Sequence, residues 1–199
     1  FSATDVVNTL TFGNTGTLNT SNSVTNAGTF TNAGGFNAVD LENTVTSTFD
    51  NRGTLNTSNS VTNAGTFTNE NTGTLTGINT VTNSGTFTNE GDFNAVDVEN
   101  TETLENTGTL NVTTMNNEGN TLGDGTYNIL GDFTSSGTFF SAAGTVYMNG
   151  TSVQIMTMAA ATFNNLTIDN AASVTLISTQ TVITNTLTIN TEKVFKIEA

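Results

Sequence analysis

The chain has 199 residues and a formal charge of −14, with 17 acids set against only Arg52, Lys193 and Lys196, and it contains no His, Cys or Pro. That balance excludes nucleic acids and anionic membrane surfaces as partners, since both require a basic footprint, and the lack of Cys removes disulfides and thiol chemistry together. Charged residues make up only 10% of the chain, against 34% hydrophobic ones that recur at regular intervals, which sets it apart from disordered acidic sequences.

From the N-terminus, FSATDVVNTLTF already alternates in β fashion. Phe1 has neither Met nor a leader-like segment before it, which fits a processed product or a piece cut from a longer one. The stretch GTLNTSNSVTNAGTFTN at 16–32 then returns unchanged at 53–69 and, loosely, as GTLTGINTVTNSGTFTN at 73–89. Taking the Gly that opens each unit gives Gly16, Gly35, Gly53, Gly73, Asp92 in place of a Gly, Gly108, Gly125 and Gly144, spaced 19, 18, 20, 19, 16, 17 and 19 apart. A second marker follows twelve residues later at Gly28, Gly65, Gly85 and Gly137, and FNAVDLENT at 36–44 is echoed as FNAVDVENT at 93–101.

Within each unit the apolar residues lie about six apart and are flanked by polar ones, as in Thr17-Leu18-Asn19 or Thr29-Phe30-Thr31. This period of two predicts short strands with one side buried, and three of them per unit predict a three-sided parallel β-solenoid of about 8–10 coils. Stacking at about 4.8 Å places Leu18 under Phe36 under Leu55. A second core column runs through Phe30, Phe49, Phe67, Phe87 and Leu104, and a third through Val24, Leu41, Val61, Val81 and Val98.

Asn26, Asn43, Asn63, Asn83 and Asn100 share one position per coil, and Asn32, Asn51, Asn69, Asn89 and Asn106 another. Asn tolerates a left-handed corner, and stacked amides hydrogen-bond from coil to coil. Asn-ladder corners are therefore expected. Residues 1–149 form the Gly/Asn/Thr-rich coils, and from 150 to 199 the texture is richer in Ile and Val (Phe163, Leu166, Ile168, Val174, Leu187, Ile189). This stretch is expected to continue the same stack, with a separate small β-domain as the alternative.

The NTGTLNT, TNAGTFTN and FNNLTIDN phrases resemble the secreted bacterial β-helix adhesins of the filamentous-haemagglutinin type. The resemblance spans most of the chain and implies a right-handed, extracellular, non-enzymatic shaft.

Chemistry has little to work with. Polysaccharide-cleaving β-helices pair carboxylates with bases, whereas here His is absent and the lone Arg52 sits beside Asp50. The densest acids are Asp97, Glu99, Glu102 and Glu105, which read as solvating residues. Calcium ligation is the sharper alternative for them, and Glu70 and Glu90 would repel on adjacent coils. Outward pairs Thr29/Thr31, Thr66/Thr68 and Thr86/Thr88 allow an ice-binding reading, interrupted by Asp50 and Glu105; plain β-propensity accounts for them as well. No catalytic residue, metal or cofactor is expected.

Neither end of the sequence carries an amphipathic helical cap, although solenoids usually need one. Phe1, Val6, Val7, Leu10 and Phe12 at one end and Val194, Phe195 and Ile197 at the other are therefore expected to form a head-to-tail interface between copies. The Lys pair at one end and Asp5 at the other favour that polarity. The expectation is a structural subunit of an extracellular homopolymeric filament whose partner is itself. A monomeric adhesin shaft or ligand-binding stalk is the alternative.

Overall fold

The computed structural model of the protein describes residues 1–198. Ala199, the last residue of the Ile/Val-rich stretch, lies outside them. Every regular element among the described residues is a strand, and all pair in parallel within one 23-stranded sheet. The path is a β-solenoid of about ten turns. Each full coil crosses three faces, here called A, B and C in chain order; in one early coil they are the strands Thr17–Thr20, Ser23–Asn26 and Thr29–Asn32.

The alternation seen in the sequence sets this geometry. In Thr29-Phe30-Thr31-Asn32 the Phe and the Asn point inward and the two Thr outward. On face A the inward residues stack as Leu18, Phe36, Leu55, Leu75, Phe93 and Leu110. On face B, Val6 begins a column that runs through Val24, Leu41, Val61, Val81, Val98 and Met115. Face C carries Phe12, Phe30, Phe49, Phe67, Phe87 and Leu104. Successive rings along Phe12–Phe30–Phe49–Phe67–Phe87 lie 4.6–4.8 Å apart with interplanar angles of 5–22°. The backbone repeat therefore imposes parallel ring stacking. Each buried Phe contributes about 1.5–3 kcal/mol of burial energy as well as any ring–ring attraction.

The structure corrects two details. The stacked glycines are Gly16, Gly34, Gly53, Gly73, Gly91, Gly108, Gly125 and Gly144: Gly35 pairs with Thr17, and Asp92 with Thr74, so neither belongs to the column. The spacings become 18, 19, 20, 18, 17, 17 and 19. Glycine is required here by close approach, because a Cβ at Gly53 would strike the carbonyl of Gly34 directly below. Second, none of the ladder asparagines is left-handed; positive φ falls instead at Thr46, Ala142, Glu192, Gly77 and Gly123. Asparagine is selected at the corners by its amide, and its tolerance of the left-handed region plays no part.

Above Leu110 the texture changes without a break in the sheet. Face C continues through Thr121, Phe139 and Ala161. Thr121 is fully buried, its hydroxyl donating to Asn117 Oδ1 at 2.9 Å. Aromatic contacts turn edge-on or tilted, as in Phe133–Phe139 at 81°. The strand Gln154–Ile168 covers faces B, C and A in one run of 15 residues and pairs with strands on both sides of residue 150.

Candidate functional site

Two buried columns of amides run along the corners. Between faces B and C, the Nδ2 atoms of Asn8, Asn26, Asn43, Asn63, Asn83 and Asn100 each donate to the Oδ1 of the next Asn at 2.7–2.8 Å, ending on Asn117. Between faces C and A, Asn14, Asn32, Asn51, Asn69, Asn89 and Asn106 are linked in the same way at 2.7–2.8 Å. Each amide also reaches a backbone carbonyl of the coil above, as Asn26 does to Thr48 O at 2.8 Å and Asn43 to Thr66 O at 2.9 Å. These side chains are 0–1% exposed in the interior coils, so each must be satisfied internally. The ladder achieves this with a single residue type, because one amide is both donor and acceptor. All donors point toward the C-terminal end, so the dipoles align and reinforce one another.

A third ladder, not read from the sequence, lies on the outer surface of face A. Asn37 donates to Asn19 at 2.8 Å and Asn56 to Asn37 at 3.3 Å; Asn111 donates to Asn94 at 2.8 Å and Asn128 to Asn111 at 2.7 Å. It runs in the opposite sense, each amide donating down the stack. The signal was available: Asn19, Asn37, Asn56, Asn94 and Asn111 all follow the inward residue of face A by one. In the upper coils Gln154 and Asn170 bond across the third corner, between faces A and B. Gln154 Nε2 donates to Ile129 O at 2.9 Å, and its Oε1 accepts from Asn170 Nδ2 at 2.6 Å. A single Gln without periodicity gives sequence reasoning nothing to find.

The expected end residues divide into two groups. Phe1, Val6 and Phe12 lie at the foot of the three inner columns; Phe1 is 77% exposed, while Val6 and Phe12 are half-buried against the core. Val7 pairs with Thr25 on the outer side of its strand, and Leu10 occupies the corner below Gly28 at 80% exposure, so neither continues a column. At the other end Phe195 and Ile197 stand over Val174 and Leu176, and Val194 precedes them at the turn. Ile183, Leu187 and Ile189 share that end surface, standing over Phe163, Leu166 and Ile168.

The acids are spread out. Asp97 and Glu99 lie on face B, Glu102 at the next corner and Glu105 on face C. Among the described residues no three carboxylates come together in a way that could hold a metal ion. On face B, Asp5 Oδ1 accepts from Asn22 Nδ2 (2.8 Å), Ser23 N (3.1 Å) and Ser23 Oγ (2.9 Å). Asp40 repeats the arrangement with Asn59 and Ser60. These bonds, led by the backbone N–H of Ser23, hold the Asp5 carboxyl below its usual value.

Arg52 bonds Asp50 at 2.7 Å and approaches Glu70 at 3.7 Å. Glu70 is raised above the ordinary carboxylate value by desolvation, then by Asp50 and Glu90, with Arg52 opposing. The outward Thr column of face C runs Thr11, Thr29, Thr48, Thr66, Thr86 and Thr103, while Asp50 and Glu105 interrupt the column beside it. No protein-family model matches the chain, and neither a curated protein nor a solved structure is detectably similar to it.

Proposed function

We propose that the chain is a structural subunit of an extracellular homopolymeric filament in which copies stack end on end. One observation carries this reading: both end surfaces expose the inner columns themselves, Phe1, Val6 and Phe12 at one end and Leu187, Ile189 and Ile197 at the other. Each such surface also presents parallel strand edges, which pair readily with another chain. A heterologous contact of this kind extends without closing. The mechanical work falls to continuous backbone ladders and a continuous apolar core. Charge adds little to the polarity: Lys193 and Lys196 share their end with Glu192 and Glu198, Asp5 shares the other with the N-terminal ammonium, and exposed ion pairs contribute little energy.

Electron microscopy of the purified protein tests the reading. About ten coils at ~4.8 Å predict unbranched filaments with a subunit rise of about 50 Å. Discrete rods at high concentration would overturn the polymer and leave the ends to further coils of a longer chain, as in a monomeric adhesin shaft. Assembly should also be sensitive to Gly16, which has open space where the stacked glycines above it meet a carbonyl. Gly16→Ala should therefore leave the fold intact and slow end-to-end growth.

A further inference from the structure

We propose that two copies of this chain pair side by side through the outer surface of face C in its upper coils, Phe140 of each copy seating in a hollow on the other. The outward column that carries Thr68, Thr88 and Glu105 lower down becomes Leu122, Phe140, Thr162 and Val182. The column beside it changes from Thr103 to Asn120, Thr138 and Ala160. Phe140 stands 47% exposed at the centre. Next to it, over the small side chain of Ala160, lies an open hollow of about 280 Å³ lined by Thr138, Phe140, Ala160, Thr162, Gln180 and Val182.

Three features favour a second copy as the occupant. No outward residue of this patch is charged, in a chain of net charge −14; like-charged copies approach most easily where neither presents an acid. Knob and hollow lie one coil apart on the same face, so a two-fold axis between them satisfies both at once, as an isologous contact requires. The patch also has a border, since Glu105 and Asp124 line the far side of the neighbouring hollow below Phe140. The patch spans only four coils, which makes the pair weak and concentration-dependent. It strengthens by multivalency wherever several solenoids lie in register. This contact does not depend on how the ends are covered.

Analytical ultracentrifugation over a wide concentration range tests it, with Phe140→Ser, Ala160→Glu and the control Thr68→Glu, which adds the same charge on face C outside the patch. The expected result is a concentration-dependent dimer weakened about ten-fold or more by each of the first two variants, as for a central aromatic anchor, and changed less than about two-fold by the control. If the protein forms filaments, the same variants are read as single against paired filament width. A wild-type chain that stays single at every concentration would overturn the proposal. So would pairing that survives both Phe140→Ser and Ala160→Glu, or pairing lost equally in Thr68→Glu.

Discussion

Replacing Asn63 with Ala removes one rung from the middle of a buried ladder. Asn63 is fully buried, accepts from Asn43 Nδ2 at 2.8 Å, and donates to Asn83 Oδ1 at 2.8 Å and Thr86 O at 2.9 Å. The truncation leaves Asn43 Nδ2 with only its bond to Thr66 O, and Asn83 Oδ1 with only a long contact of 3.4 Å from Gly85 N. Each lost bond is worth about 1 kcal/mol net, and each buried group left unpaired about 1–3 kcal/mol. A total near 3–4 kcal/mol is expected. For a chain of this size that corresponds to about 6–15 °C in Tm. Asn37, with the same residue type and spacing but on the exposed outer ladder, sets the comparison: Asn37→Ala should cost about 0.5 kcal/mol or less. Urea titrations and thermal melts followed by circular dichroism measure both variants. Equal, small losses would show that the buried ladder adds nothing beyond the outer one, and would refute the reasoning.

Other outcomes follow from individual positions. Thr57 is buried directly above Ala38, and its Oγ1 has no partner. Thr57→Val should therefore raise stability by about 1–2 kcal/mol, measured as a shift of the urea midpoint at constant m. A Cβ at Gly85 would meet the carbonyl of Gly65, so Gly85→Ala should lower Tm while Gly16→Ala leaves it unchanged. Two carboxyls should respond to pH in opposite senses. Asp5, held below its usual value, supports the fold above its unfolded value and loses that support as pH falls through the lower, folded one. Asp5→Asn should thus lower Tm at pH 7 but not in strong acid. Glu70, held above the ordinary value, favours the fold when protonated and loses that contribution as pH rises through its folded value. Glu70→Gln should raise Tm at pH 7 and leave it unchanged near pH 4.

The solenoid and its interior were legible because each is a one-dimensional pattern. Alternation decides which residue of Thr-Phe-Thr-Asn turns inward, and a repeat near 19 residues decides which Phe stands on which. The columns through Phe30, Val24 and Leu18 and the two buried Asn ladders require no more than that. Tertiary structure decided whatever depends on the exact coil length and on the partner above or below. Coil lengths vary, so only the hydrogen-bond register shows that Gly34 and Gly91, not Gly35 and Asp92, complete the glycine column. Val7 and Leu10 are as apolar as Val6, and it is the pleat and the corner that turn them outward. Leu187 and Ile189 carry the same alternation as the core strands below them; with Ile183 they form an end surface because no strand stacks on them within the described chain. The sequence determined which side chains face in, since that is settled locally by the pleat; the stack determined which of them meet, because contact between coils depends on register accumulated along the whole chain.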